Sequence, residues 1–171
     1  MCRRKFSLFM LTMLLLCACT NTGTDSEAAC PVKSSMVYND TFRITYVSRQ
    51  YEYDSGKMKK EAPLYFELWI EYIGKDSSVT IWHREAIGGV EMLYNTGESV
   101  LPLVIGDSLG SMELQKGESF LVCTWTGASE YEFLGGFPRG NYIAEACVDF
   151  DFGENGEESV CCFLDLPFTI V

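Results

Sequence analysis

The sequence predicts an all-β fold, an antiparallel β-sandwich. Three observations predict it. From about Val37 onward apolar and polar residues alternate with period two, the pattern of strands with one buried face. Clusters of Gly, Asn, Asp, Ser and Pro divide these runs, as turns do. No segment carries the periodicity of a long amphipathic helix. Closing two sheets face to face buries every apolar stripe at once.

The predicted strands follow in order. Phe42, Ile44 and Tyr46 share one face, with Arg43 and Thr45 on the other. Leu64, Phe66, Leu68, Ile70 and Tyr72 share a face opposed by Glu67 and Glu71. Val79 and Ile81 continue after the turn Gly74 to Ser78. Tyr142, Ala144, Ala146, Val148, Phe150 and Phe152 alternate with Glu145, Asp149 and Asp151. Val160 to Val171 is the last strand, and Pro167 marks it as an edge or as bulged there. Turns are placed at Asp54-Ser55-Gly56, Asn95-Thr96-Gly97, Gly106-Asp107, Lys116-Gly117, Pro138-Arg139-Gly140 and Asn155-Gly156. No internal repeat and no second domain is visible.

With 171 residues, 47% of them hydrophobic, the chain can bury one core. Its 24 Asp and Glu against 13 Lys and Arg give a net charge of −11. Such a surface repels phosphate backbones and excludes nucleic acid as a partner.

The N-terminus carries a second message. Arg3-Arg4-Lys5 precedes the uncharged apolar run Phe6 to Leu16. That run is shorter than the roughly 20 residues a membrane span needs, and has the length of a signal-peptide core. Leu16-Cys17-Ala18-Cys19 follows it, and resembles the lipobox of bacterial lipoproteins: an aliphatic residue, a small residue before the Cys, and the Cys itself. The resemblance implies cleavage after residue 18 and a diacylglycerol on the sulfur of Cys19, hence a membrane partner through the lipid anchor and an extracytoplasmic location. The alternative is an ordinary secretory leader cleaved near Ala18 or Ala29. Thr20 to Ala29 is small, polar and aperiodic, a flexible tether with a reach of about 16–19 Å. The predicted organisation is a leader over 1–18, a lipidated Cys and tether over 19–33, and a sandwich over 34–171.

Export permits disulfides. Beyond Cys19 stand Cys30, Cys123, Cys147, Cys161 and Cys162, an odd number that cannot all pair within one chain. Cys147 falls opposite or diagonal to Cys161 or Cys162 across a hairpin closed near Asn155-Gly156. If Val160, Cys162, Leu164 and Leu166 face inward, Cys161 is the outer one, and Cys147–Cys161 is the candidate disulfide. Cys123, between Leu121 and Trp125, is expected to be a buried thiol.

"LQKGESFLVCTW" (Leu114 to Trp125), followed by "FPRGNYIAEACVDF" (Phe137 to Phe150), is similar to the BsuPI-like intracellular proteinase-inhibitor family. A Leu-x-x-Gly-Glu turn leads into a strand ending at Trp125, and a Pro-x-Gly-x-Tyr turn opens the penultimate strand. The resemblance implies an immunoglobulin-like sandwich and, as one reading of function, an exposed loop occupying a protease cleft. The leader and the extra cysteines depart from that family.

Chemistry-bearing patterns are sparse. Asp149 to Glu158 gathers five carboxylates at a hairpin tip, but Gly153 stands where an EF-hand would place its third acidic ligand. No Cys-x-x-Cys occurs, and His83 is the only histidine, so the sequence nominates neither metal nor cofactor. There is no Gly-x-Ser-x-Gly and no nucleophile signature at any Cys. A carboxylate-based enzyme is the remaining catalytic reading. Tyr51, Tyr53, Tyr65 and Trp69 fall off the apolar stripes or in the long mixed-charge stretch Ser48 to Pro63. Aromatic residues so placed make binding surfaces, unless a second sheet or a loop covers them. The expectation is a non-enzymatic binding or accessory module whose partner is a protein, a peptide or a cell-wall glycan.

Overall fold

The computed structural model describes residues 32–94, 96–100 and 108–171. The leader, Cys19, the tether, Cys30, Asn95 and the predicted Gly106-Asp107 turn lie outside the described residues. Those described form two packed sheets. The first has the order β1 (Val32–Tyr38), β2 (Phe42–Ser48), β4 (Phe66–Tyr72) and β8 (Ser119–Trp125). The second runs β3 (Glu52–Tyr53), β10 (Glu158–Ile170), β9 (Gly140–Phe152), β5 (Ser78–His83) and β7 (Gly110–Gln115), with β6 (Gly88–Tyr94) also on β9. The fold is all-β, and its sheets are antiparallel apart from the two-residue parallel pairing of β3 with β10. β1 begins at Val32, two residues before the predicted boundary.

Period-two alternation becomes two inner faces. Phe42, Ile44 and Tyr46 of β2 and Phe66, Leu68 and Ile70 of β4 are fully buried. Against them stand the even-numbered residues of β9 and β10, all buried from Tyr142 to Phe152 and from Val160 to Ile170. Edge-to-face rings join the layers: Phe42 meets Phe150 and Phe152, each with centroids 5.0 Å apart, and Phe66 meets Phe168 at 5.4 Å. This geometry suits the aromatic quadrupole. The Tyr46 hydroxyl lies inside this core with no hydrogen-bond partner.

Turn chemistry sets the connections. Asn39 and Asp40 adopt φ of 47° and 54°, and Thr41 N donates to Tyr38 O. Two successive positive φ values are what a tight hairpin requires and what Asn and Asp tolerate. The predicted Asn155-Gly156 turn closes the β9–β10 hairpin with Gly156 at φ 70°. Pro167 pairs with Ile143 on one side, while β3 reaches only Thr169 and Ile170 on the other. β10 is therefore an open edge at Pro167, where no donor is needed.

Two features escape a pattern reading. A seven-residue helix, α1 (Ala128–Leu134), bridges β8 to β9. It starts after Gly127 and seats Glu130, 6% exposed, where the Trp125 indole N–H donates to it at 3.3 Å. And β8 carries a bulge: Leu121 pairs with Trp69 while Cys123 pairs with Leu68, leaving Val122 extra. An extra residue reverses the facing of everything beyond it. Hence Leu121 turns outward, 38% exposed, while Cys123 turns inward. They do not share a face as simple alternation expects.

Candidate binding surface

β2 and β4 are the interior strands of the four-stranded sheet. Residues they do not bury must project from its outward face. Cross-strand register aligns Arg43 with Glu71, Thr45 with Trp69 and Val47 with Glu67. Arg43 and Glu71 form an ion pair at 2.5 Å. Glu67 is the organising group. It accepts the Tyr65 hydroxyl on Oε1 at 2.5 Å and the Trp69 indole N–H on Oε2 at 3.1 Å. Tyr65, Glu67 and Trp69 are two residues apart along one extended run, so their side chains emerge on the same face. One carboxylate therefore sets the orientation of two aromatic rings. Beyond Tyr65, the Arg49 guanidinium lies 3.7 Å above the ring centre, a cation–π contact.

Two shallow depressions flank this run. One, of about 270 Å³, is lined by Arg43, Thr45, Val47, Trp69, Glu71 and Ser119, with Ile70. The other, of about 320 Å³, lies against the stretch 49–65, and its walls include Arg49, Lys57, Met58, Lys59 and Tyr65. Lys57 pairs with Asp54 at 3.1 Å, and that contact together with the Gly56 N–H holds the exposed Asp54 carboxyl below its usual range.

The four aromatic candidates have different fates. Tyr65 and Trp69 are half-buried and are brought together. Tyr51 is 65% exposed but lines neither depression. Tyr53 is not the exposed ring expected: it is only 4% exposed and reaches the wall of the second depression from inside. β3 pairs with the end of β10, which carries the ring inward against Phe66 and Phe168. Its hydroxyl shares a 2.8 Å hydrogen bond with Ser48 Oγ, and burial raises its pKa. Pattern reading passed over Glu67, Arg43 and Arg49 as binding residues. The signal that could have found Glu67 is the same-face series Tyr65-x-Glu67-x-Trp69.

The hairpin register places the two cysteines of the candidate disulfide. Residues 153–157 form the hairpin loop, which sets Cys147 opposite Phe163 and Cys161 opposite Asp149. Cys147 and Cys161 are diagonal neighbours, and no disulfide joins them in this structure. Diagonal neighbours lie about 7–8 Å apart, their Cβ atoms somewhat less, whereas a disulfide needs Cβ atoms about 3.5–4.5 Å apart. Cys162 faces inward, and burial first, then the neighbouring Cys147, Cys161 and Asp149, push its thiol up to about 12. Burial pushes Cys123 up to about 11.

The remaining groups have local explanations. His83 ends β5, and its Nδ1–H donates to the Arg84 carbonyl. At the acidic tip, Glu157 accepts from Asn155 N at 2.7 Å and from Glu154 N at 3.3 Å. These bonds hold its carboxyl below the usual range and order the loop. Among the described residues no three His, Cys, Asp or Glu side chains converge as metal ligands. No protein family, no characterised protein and no solved structure matches this chain.

Proposed function

We propose that the chain is a non-enzymatic binding module, held at an extracytoplasmic membrane surface by a lipid on Cys19, with its ligand lying on the outward face of the four-stranded sheet. The observation that carries the binding reading is the fixed Tyr65–Glu67–Trp69 series. Ordering flexible side chains on binding costs about 0.5–1.5 kcal/mol each. Rings already oriented by a shared carboxylate avoid much of that cost. Thr45, Val47 and the outward Leu121 flank Trp69, giving an apolar centre with charged groups around it, the anatomy of a recognition surface.

The anchor is supported by the basic start, the short apolar run and Leu16-Cys17-Ala18-Cys19. The immunoglobulin-like assignment is supported by Tyr142, whose hydroxyl donates to Pro138 O at 2.8 Å, a bond of the tyrosine-corner type.

Affinity capture from envelope extract, comparing the natural chain with Trp69→Ala, tests the binding reading. Recovery of a specific component should fall at least tenfold in the variant while it still unfolds in one cooperative transition well above the assay temperature. Equal recovery by both chains refutes it. Radiolabelled palmitate should enter the natural chain and not Cys19→Ser. Labelling of both, or of neither, refutes the anchor.

A further inference from the structure

We infer that the outward face of the four-stranded sheet takes an anionic glycan, a saccharide chain with one ring on Trp69 and its carboxylate or phosphate groups on Arg49 and Lys59. This rests on the binding-module reading above. The first support is the placement of charge. In a chain of net charge −11, the depression beside Tyr65 has Arg49, Lys57 and Lys59 on its walls and no carboxylate, and of the three only Lys57 is ion-paired, with Asp54. Glu52 and Glu61 of the same stretch line neither depression. Arg49 and Lys59 are in no ion pair among the described residues. Arg49 is held by stacking on Tyr65, which leaves its N–H edges open to a bidentate oxyanion.

The second support is where the acids are. Glu91, Glu145 and Asp165 stand side by side across β6, β9 and β10, on the outward face of the other sheet. Stacked sheets are about 10 Å apart, and the Debye length at physiological salt is about 8 Å. The acids nearer the cationic depression are engaged: Glu71 by Arg43, Asp54 by Lys57, and Glu67 by the Tyr65 and Trp69 donors.

The third support separates a glycan from a peptide. β2 is paired on both sides, with β1 and β4, and β4 with β2 and β8. Their backbone groups are used within the sheet, so the face offers an extended peptide no main-chain partners of the kind strand addition needs. A saccharide is recognised by side chains alone. Its C–H face packs on an indole, and its hydroxyls meet groups such as Glu71, Thr45 and Ser119, which line the first depression.

The test is retention of the full-length protein on immobilised polygalacturonate, phosphomannan, neutral dextran and poly-glutamate. At least one of the two anionic glycans should retain the chain, with binding that weakens as salt rises. The double variant Arg49→Ala/Lys59→Ala should lose at least tenfold in affinity, and Trp69→Ala a similar amount, with unfolding midpoints unchanged. Equal retention on poly-glutamate overturns the inference in favour of an acidic peptide. Equal retention on dextran overturns the role of the cations, and retention on none of the four overturns the glycan. If the double variant still captures the envelope component that Trp69→Ala loses, the anionic class falls while the binding module stands.

Discussion

Trp69 donates its indole N–H to Glu67, two residues back along the same strand, at 3.1 Å. The same carboxylate takes the Tyr65 hydroxyl at 2.5 Å. Replacing Glu67 with Ala leaves both rings in place but free to turn. Ordering each freed ring on binding costs about 0.5–1.5 kcal/mol, so the two together reach the cost of a tenfold loss in affinity. Glu67→Ala is expected to weaken ligand capture by roughly tenfold, since about 1.4 kcal/mol is a factor of ten. Its urea midpoint should fall only modestly, with the unfolding transition still cooperative. Full-strength capture by Glu67→Ala would remove the carboxylate from the site.

Tyr46 is fully buried, and its hydroxyl has no partner. An unsatisfied buried polar group costs about 1–3 kcal/mol. Tyr46→Phe removes that oxygen and keeps the ring on Phe66, 5.6 Å away centre to centre. The variant should be as stable as the natural protein or about 1 kcal/mol more stable, read as a higher denaturant midpoint with an unchanged slope. A loss beyond 1 kcal/mol would show a hydrogen bond that the structure does not contain.

Gly88 pairs with Val148 where β6 meets β9. A Cβ at Gly88 would sit 2.3 Å from the Cys147 carbonyl oxygen, a backbone atom that cannot swing aside. Gly88→Ala must push the strands apart, at a cost of about 1–3 kcal/mol or more. Hydrogen exchange should show the β6 amides losing protection before those of β10. Uniform natural protection in the variant contradicts the close approach.

Alkali should destabilise the fold. Burial raises the thiols of Cys123 and Cys162 to about 11 and about 12. In the unfolded chain a thiol titrates near 8.5. Above that value the unfolded state releases protons that the folded state keeps, so stability is complete below about pH 8.5 and falls as pH rises toward the folded values. The loss is up to about 1.4 kcal/mol per pH unit for each thiol. Urea midpoints should therefore decline from pH 9 to 10.5, with both thiols slow to react with iodoacetamide until the protein unfolds. A flat midpoint over that range contradicts the burial of these groups.

The strands were legible because one buried face forces period two, and β2, β4, β9 and β10 obey it residue by residue. Register was not legible, since it depends on loop length and bulges that composition does not reveal. Leu121 shows this: one extra residue in β8 sends it outward beside Trp69. Tyr53 and Tyr65 show the same limit at the binding surface. Both lie in or just after the mixed-charge stretch Ser48 to Pro63, yet β3 pairs with the far end of β10 and takes Tyr53 inside. That pairing joins Tyr53 to Ile170, 117 positions along the chain, beyond the reach of any local pattern. Helix α1 was missed because seven residues are too few to display a stripe.

Val32 opens its strand opposite Ser48, and Ser48 lies opposite Phe66. The polypeptide thus arrives at the corner of the sandwich occupied by Arg49 and Tyr65, rather than at the corner of Asn39 and Asp40. A leash fastened upstream would hang the module with that corner nearest its mooring. If Cys19 carries the lipid proposed above, whatever docks there would enter between the module and the bilayer. The number of residues between Cys19 and Val32 would then set the headroom for cargo, and deleting Thr20–Ala29 should exclude bulky ligands before small ones.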